Sequence, residues 1–274
     1  MTDALPVHSI DSWQTQLQQV ISTSDELLAL LELRPDQVGD CPAAAERFAI
    51  KVPMAVARRM RVGDPQDPLL LQVLARQEET LVHPDYMQDP LAESGEAVPR
   101  RGIIHKYRGR VLLVLTGTCA IHCRYCFRRH FPYQENRNNR KQWREALDYI
   151  NGDPTIEEVI LSGGDPLVAS DSLLTELVSQ VAAIDHVRRL RIHSRLPIVL
   201  PDRVTPGLLD AICHPSLQII MVVHANHARE IDDQVCAAVT TLRECGVTVL
   251  NQSVLLKGIN DTTRALVELS ERLF

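Results

Sequence analysis

The chain has 274 residues, a formal net charge of −6 at pH 7, 45% hydrophobic residues and 23% charged residues. This composition is typical of a globular protein and excludes disordered, fibrous and membrane-embedded classes. The acidic balance argues against sequence-independent nucleic-acid binding, because that binding depends on Lys and Arg side chains that neutralise phosphates. The sequence has neither a signal-peptide pattern nor an apolar run of about 18 residues. We therefore expect a cytoplasmic protein that binds neither nucleic acid nor a membrane.

The first part of the chain has the pattern of short helices. Apolar residues recur at helical spacing after the candidate N-caps Ser9 and Asp11. Further helical runs, separated by Pro- and Gly-containing breaks, cover residues 24–33, 54–61 and 68–77. The pattern predicts an α-helical N-terminal region over residues 1–104.

From Arg110 onward, short β-branched runs alternate with helical segments. The predicted strands are 111–115, 159–161, 190–192, 217–223 and 247–250. The predicted helices are 143–150, 173–184, 205–212, 231–242 and 262–274. Strands this apolar are covered on both faces, so the expected fold class of residues 105–274 is α/β, a parallel βα barrel of five units. In such a barrel the chemistry lies at the carboxyl ends of the strands.

Three of the seven cysteines crowd into the loop after the first predicted strand, with the spacing Cys119-x3-Cys123-x2-Cys126. In a cytosolic chain this clustering indicates metal or redox chemistry rather than disulfides. A structural zinc site normally takes four protein ligands, whereas three thiolates on a cubane iron–sulfur cluster leave one iron open to a small chelating ligand. The residues alone leave two alternatives, zinc completed by His122 or His130 and a chance cluster of thiols.

The loop after the second predicted strand reads Ser162-Gly163-Gly164-Asp165. Adjacent glycines let a ligand approach the backbone closely, and the Asp165 carboxylate offers an acceptor for an ammonium group. A Gly-Gly-Asp turn is also common as a plain turn. Polar residues also follow the later strands. Each of them could contact a ligand or have only a structural role. They are Arg191, His193, Ser194, Arg195, His224, Asn226, His227, Asn251, Gln252 and Ser253.

The three-cysteine loop resembles, in full, the motif of radical S-adenosylmethionine (SAM) enzymes. The resemblance implies a radical SAM barrel and a [4Fe-4S] cluster on Cys119, Cys123 and Cys126. Its open iron would chelate the amino and carboxylate groups of SAM, and one-electron reduction would release methionine and a 5′-deoxyadenosyl radical. The resemblance also implies SAM contacts, with Asn226 as a further candidate, at Tyr125, Ser162, Gly163, Gly164, Asp165, Arg195, His224 and Gln252.

From about His105 to its end, the chain resembles the lysine 2,3-aminomutases. The segments that carry this resemblance are 105–110, the cysteine loop, 161–167, 195–201 and 251–261. Segments 126–133 and 191–197 are similar to the branch of that family that makes β-lysine for elongation factor P. The resemblance implies conversion of (S)-α-lysine to (R)-β-lysine with pyridoxal phosphate as a further cofactor. It also implies an electron donor such as flavodoxin or ferredoxin, and a ligase that passes the product to elongation factor P.

The same family resemblance implies roles for further residues. Arg128 is similar to the arginine that pairs with the substrate carboxylate, in a planar bidentate contact that lysine does not reproduce. Tyr107 and Arg110, together with Gln252, resemble the pyridoxal phosphate contacts. A surface position for Arg128 and structural roles for Tyr107 and Arg110 are the alternatives.

None of the four lysines matches the pyridoxal phosphate lysine of the family. The family tolerates arginine at the position of Lys257, Lys106 is near the predicted phosphate site, and Lys51 and Lys141 are expected to be solvated helix residues. We expect the family's last strand, its pyridoxal phosphate lysine and its acidic contacts to the substrate amine to lie beyond Phe274, which leaves the barrel without its last unit. Two other functions stay open, a radical SAM enzyme of another reaction type and a non-enzymatic iron–sulfur electron carrier.

Overall fold

The computed structural model describes residues 12–82, 84–133 and 140–274. The predicted caps Ser9 and Asp11 lie outside these residues. The first helix begins at Trp13 with Ser12 as its N-cap, whose Oγ accepts a hydrogen bond from the backbone N–H of Thr15 at 3.3 Å. Every helix of the described ranges is too short or too polar to cross a lipid bilayer.

The N-terminal region consists of short elements rather than only helices. They are α1 (Trp13–Gln18), β1 (Val20–Ile21), α2 (Ser24–Leu30), α3 (Pro35–Val38), α4 (Pro42–Arg47), β2 (Val52–Pro53) and α5 (Met54–Ala57), followed by 3-10 turns at Leu70–Gln72, Gln77–Thr80 and Gly95–Ala97. Strands β1 and β2 pair antiparallel.

The helix predicted over residues 68–77 is wrong, because only the 3-10 turn at Leu70–Gln72 forms there. Asp67 Oδ1 accepts hydrogen bonds from the backbone N–H groups of Leu69 and Leu70 at 2.9 and 3.1 Å. Contacts of this kind cap a helical turn. Residues 69–75 are all buried, so their apolar character reflects burial on every side and not one face of a longer helix.

A six-stranded sheet with covering helices makes up the rest of the chain. Its elements are β3 (Ile103–Tyr107), β4 (Arg110–Thr116), α6 (Arg140–Asn151), β5 (Glu158–Gly163), α7 (Asp171–Ala182), β6 (Arg189–His193), α8 (Leu196–Val199), α9 (Pro206–Ile212), β7 (Gln218–Val223), α10 (Asp233–Glu244), β8 (Thr248–Asn251) and α11 (Thr263–Leu273), with 3-10 turns at Pro166–Val168, Pro201–Arg203 and Ala228–Glu230. The strand order is β3-β4-β5-β6-β7-β8. Strands β4 to β8 pair in parallel, which confirms the α/β class and the five βα units.

Strand β3 was not predicted, and it pairs antiparallel with β4. In the part of the chain that the structure describes, β3 and β8 are the two edges of the sheet, so these strands form a partial barrel.

One apolar core joins the N-terminal region to the sheet. The cluster of buried side chains contains Leu27 and Leu70 from the first region together with Leu113, Leu161 and Met221 from the strands. Alternate residues of β4 point to its two faces, so Leu113 is fully buried in the core while Leu112, its neighbour, lines a cavity on the other face.

Arg203 fastens α1 to the barrel and is completely buried. Its guanidinium carbon lies 4.2 Å from the centre of the Trp13 ring, Nε donates to Leu167 O at 2.7 Å, and Nη1 lies 2.8 Å from Asp171 Oδ1. We expect Arg203→Met to lower the free energy of unfolding by about 3 kcal/mol, because it removes one partner of buried polar contacts.

Urea unfolding of the purified variants checks this expectation. Arg264→Met is the control, because Arg264 pairs with Glu268 on the exposed face of α11, where such pairs contribute less than about 1 kcal/mol. Equal losses in the two variants would contradict the anchoring role of Arg203.

Candidate active site

A cavity of about 260 Å³ opens at the carboxyl ends of the parallel strands. The cysteine loop follows β4, the Gly-Gly-Asp turn ends β5, and the segments after β6, β7 and β8 complete the wall. Among its lining residues are most of those predicted from the sequence: Cys119, Cys123, Tyr125, Cys126, Arg128, Ser162, Gly163, Gly164, Asp165, Arg195, His224, Asn226 and Gln252.

The two glycines bring the turn after β5 against the cysteine loop. Gly164 N–H donates to Thr116 O at 2.7 Å, and Asp165 N–H donates to Thr118 O at 2.9 Å. A Cβ atom on Gly164 would lie 2.5 Å from Thr118 O, and Gly163 has a φ of +111°. The close approach that these glycines allow is therefore to the chain's own cysteine loop.

Asp165 is buried, and its carboxylate is fully engaged by the protein. Oδ1 accepts from Leu167 N–H at 3.0 Å and Ser194 Oγ at 2.7 Å, and Oδ2 accepts from the N–H groups of Arg195 and Leu196 at 2.8 and 3.1 Å. A carboxylate offers about four acceptor positions. The chain's own donors occupy these positions, so Asp165 ties the β5 turn to the loop after β6. Its contact with a ligand's ammonium group stays a prediction.

The three cysteines of the loop are free thiols, each half-buried on the wall of the same cavity. Burial raises the pKa of the Cys119 and Cys126 thiols. Within residues 12–82, 84–133 and 140–274, no three His, Cys, Asp or Glu side chains converge closely enough to hold a single metal ion. Three thiols around one cavity fit an iron–sulfur cluster, which is held by cysteine thiolates.

The zinc alternative required a histidine as a further ligand. His122 does not line the cavity, since its Nδ1 lies 2.6 Å from Ala49 O and its ring stacks on Phe48 with 4.9 Å between centroids. His130 does not line the cavity either.

Arg195 joins the cysteine loop to two residues that the sequence analysis did not identify. Its Nη1 donates to Cys123 Sγ at 2.7 Å, and its Nη2 donates to Gln72 Oε1 at 2.8 Å and to Glu230 Oε2 at 2.7 Å. All three side chains, Arg195, Gln72 and Glu230, are buried.

Gln72 also orders the aromatic wall of the cavity. Its Oε1 accepts from Asn226 Nδ2 at 2.9 Å and from the Tyr125 hydroxyl at 3.3 Å, and Asn226 Nδ2 donates to the same hydroxyl at 2.6 Å. Burial holds the pKa of Tyr125 well above its ordinary value, so the phenol keeps its proton. Because Gln72 belongs to the N-terminal region, that region contributes directly to the site.

Arg128 is buried on the cavity wall and is not a surface residue. Its Nη1 donates to Ser162 Oγ at 2.9 Å, and its guanidinium carbon lies 4.7 Å from the centre of the Phe127 ring. Glu93, which the sequence analysis also missed, accepts two further hydrogen bonds from Arg128.

Tyr107 and Arg110 lie away from this cavity. Tyr107 is exposed and pairs with Arg110 at the start of β4, whereas the cysteine loop follows Thr116 at its end. A strand of this length spans roughly 20 Å. The structure therefore does not bring these two residues together with the thiols, and their contact with pyridoxal phosphate stays a prediction.

The lysine side chains that the structure describes do not line the cavity. Lys51 is not a solvated helix residue as expected, because it lies outside the helices and its Nζ donates to Cys119 O at 2.8 Å. Lys106 donates to Leu91 O, and Lys257 is exposed. The side chain of Lys141 is not among those that the structure describes.

Two half-buried histidines face each other on the cavity wall. The rings of His193 and His224 lie 5.8 Å apart and perpendicular. Burial lowers the pKa of His193 to about 4 and that of His224 to about 3, so both are neutral at pH 7. His224 Nε2 is buried without a hydrogen-bond partner among the described residues, which suits it to contact a bound ligand.

These histidines make stability depend on pH. In the unfolded chain their pKa returns to about 6.5, so the unfolded state binds protons more readily as the pH falls below that value. We expect the free energy of unfolding to fall by roughly 1–2 kcal/mol for each histidine between pH 7.5 and 5. Urea unfolding at both pH values should show a smaller fall for His224→Gln. An unchanged fall in the His193→Gln/His224→Gln double variant would contradict the assignment.

Comparison with known proteins places the chain in a family. The profile of the radical SAM superfamily matches residues 113–269. The L-lysine 2,3-aminomutase of Escherichia coli K12 is 48% identical over 267 residues, which cover 97% of this chain and 78% of that protein. The enzyme of the same name from Haemophilus influenzae is 46% identical over 96% of this chain and 78% of its own length, and that from Clostridium subterminale is 33% identical over 96% and 63%. The chain belongs to the L-lysine 2,3-aminomutase family of radical SAM isomerases.

Proposed function

We propose that this chain converts (S)-α-lysine into (R)-β-lysine, the reaction predicted from the sequence. The main support is that one cavity is lined both by the three thiols and by Arg128. A cluster and a guanidinium on the same wall would hold SAM and a carboxylate-bearing substrate within reach of each other. An electron carrier would need only the thiols, and would have no use for a buried arginine that faces the cavity.

The chain's own residues supply binding and orientation in this reaction. A [4Fe-4S] cluster held by Cys119, Cys123 and Cys126 would supply the electron for reductive cleavage of SAM. Arg128 binds the α-carboxylate of lysine, and Ser162 fixes one of its terminal nitrogens. Tyr125 and Asn226 offer a buried polar wall, and neutral His224 presents an unpaired Nε2 for a hydrogen bond to a ligand.

Several finer predictions accompany this proposal. Pyridoxal phosphate as a further cofactor rests on the family resemblance, since the described lysines, Tyr107 and Arg110 do not form a site for it in this cavity. Three other predictions also rest on the sequence. They are delivery of β-lysine to the elongation factor P ligase, a flavodoxin or ferredoxin as electron donor, and a cytoplasmic location.

We also propose the division of the chain into an N-terminal region (1–104) and a barrel (105–274). The two parts share one apolar core, and Gln72 of the first accepts a hydrogen bond from Arg195 on the cavity wall of the second. The N-terminal region would therefore act as a part of the active site and not as an independent module.

Anaerobic incubation with lysine, SAM, pyridoxal phosphate and a reductant tests the proposed reaction. We expect β-lysine by mass spectrometry when the chain carries its reconstituted cluster, and its loss when pyridoxal phosphate is omitted. Formation of 5′-deoxyadenosine without β-lysine would indicate a radical SAM enzyme of another reaction type. A reducible cluster that never cleaves SAM would indicate an electron carrier.

Arg128→Lys should weaken lysine binding at least tenfold and leave the iron content unchanged, because an ammonium cannot make the planar bidentate contact. Calorimetric titration of the cluster-loaded protein with lysine measures this. Arg129→Lys is the matched control, since Arg129 points to Glu79 at 2.8 Å and to the Phe48 ring, outside the cavity. Equal lysine affinities in the two variants would contradict the role of Arg128.

A further inference from the structure

Glu93 makes a buried, two-point contact with Arg128. Glu93 Oε2 accepts from Arg128 Nε at 2.6 Å, and Oε1 accepts from Nη2 at 2.7 Å. Glu93 is 7% exposed and Arg128 is 8% exposed. Such parallel, charge-assisted hydrogen bonds fix the plane and the direction of a guanidinium group.

The two partners differ in their relation to the cavity. Arg128 and Ser162 line it, whereas Glu93 does not. Glu93 therefore lies behind the arginine and leaves the cavity side of the guanidinium accessible.

A count of donors shows what remains for a ligand. A guanidinium has five N–H groups. Glu93 takes one from Nε and one from Nη2, and Ser162 takes one from Nη1. One N–H group is left on each terminal nitrogen, which matches the two oxygens of a carboxylate.

The segment that carries Glu93 is itself held in place. Asp89 Oδ1 accepts from the backbone N–H of Glu93 at 2.9 Å, and Asp89 Oδ2 accepts from Ser94 Oγ at 2.5 Å. Lys106 of β3 donates to the carbonyl oxygen of Leu91. The carboxylate is thus presented to Arg128 from an ordered turn that the sheet supports.

A buried ion pair is weak evidence for stability, because desolvation of both charges offsets their attraction. Orientation of a group that a ligand must meet is a better account of its presence here. We propose that Glu93 is a positioning residue that holds Arg128 with two N–H groups directed at the substrate carboxylate. This inference rests on the proposed function, because it requires an amino-acid substrate in the cavity.

Glu93→Gln tests the inference with little change of volume. The amide nitrogen of glutamine is a donor, so it cannot accept the second hydrogen bond from Arg128. We expect the dissociation constant for lysine, measured by anaerobic calorimetry on the full chain with cluster, SAM and pyridoxal phosphate, to rise at least tenfold. Lysinamide lacks the carboxylate, so it should bind the wild-type protein more weakly than lysine does. The dissociation constant for lysinamide in Glu93→Gln should stay within twofold of its value in the wild-type protein.

Glu79→Gln is the matched control. Glu79 pairs with Arg124 and Arg129 at 3.0 and 2.8 Å beside the cysteines, but it does not line the cavity. We expect wild-type lysine affinity in this variant, and an unchanged electron paramagnetic resonance spectrum of the reduced cluster in Glu93→Gln.

Each other outcome overturns the inference. Unchanged lysine affinity in Glu93→Gln would show that Arg128 needs no positioning. Tighter lysine binding would show that Glu93 competes with the substrate, and an equal loss for lysinamide would show a general structural role. If the wild-type protein binds no lysine at all, the proposed function itself fails and this inference fails with it.

Discussion

Replacing Cys123 with alanine is expected to abolish SAM cleavage and to remove most of the bound iron. The described cavity offers three thiols at its wall, and Cys123 is the one that also accepts a hydrogen bond from Arg195. A cluster on three thiolates that loses one is left with two iron atoms open to solvent, so it should be lost or become unable to chelate SAM. Iron and sulfide analysis, together with 5′-deoxyadenosine formation under reducing conditions, measure both effects.

The matched control is Cys236→Ala. Cys236 lies on α10, packs against the apolar core and does not line the cavity. This variant should keep its iron and its SAM cleavage after the same reconstitution. Full cleavage by Cys123→Ala would refute the cluster assignment, whatever the control shows.

Asp165→Asn is expected to lower the free energy of unfolding by about 3 kcal/mol, because two of the four donors that face the carboxylate would meet an amide N–H instead of an acceptor. The same change should weaken SAM binding at least tenfold. Asp165 holds the turn after β5 to the loop that begins at Ser194, and both segments line the cavity or support it. Urea unfolding and titration of the cluster-loaded protein with SAM give the two values.

A half-buried aspartate in a surface turn accepts similar hydrogen bonds and provides the comparison. Asp153 Oδ1 accepts from Thr155 N–H at 3.0 Å and from Thr155 Oγ at 2.7 Å in a surface turn. Asp153→Asn should cost less than about 1 kcal/mol, since water can replace the lost contact. Similar losses in the free energy of unfolding of the two variants would show that burial does not increase the contribution of the Asp165 hydrogen bonds to stability.

The βα units could be predicted because their patterns are local. Strand 159–161 was predicted and β5 is Glu158–Gly163, and helix 205–212 was predicted and α9 is Pro206–Ile212. Thr205 caps α9 at 3.1 Å from Leu208 N, and Pro206 follows at the first position of the helix, as both residue types favour. Strand β3 was missed because its pairing with β4 depends on a tertiary contact that its five residues do not reveal.

Some residues of the candidate site could likewise be located from the sequence, and others could not. The cysteines and the Gly-Gly-Asp turn stand at strand ends in recognisable spacings, so sequence reasoning could locate them. Gln72, Glu93 and Glu230 are single polar residues whose importance comes only from what folding brings beside them. Glu230 lies three positions after the polar strand-end segment 224–227, which is a weak sign that it belongs to the site. The sequence around Gln72 and Glu93 gives no such sign.

The contact between the cysteine loop and the turn after β5 has a consequence for how the apoprotein fluctuates. Backbone hydrogen bonds from Gly164 and Asp165 cross between the two segments, and the Tyr133 hydroxyl donates to Gly163 O at 2.7 Å. Neither segment can open without breaking the bonds of the other, so they form one cooperative unit of local unfolding. Ligation of the thiols would thereby slow amide hydrogen exchange at Gly164 and Asp165, although neither residue is a ligand.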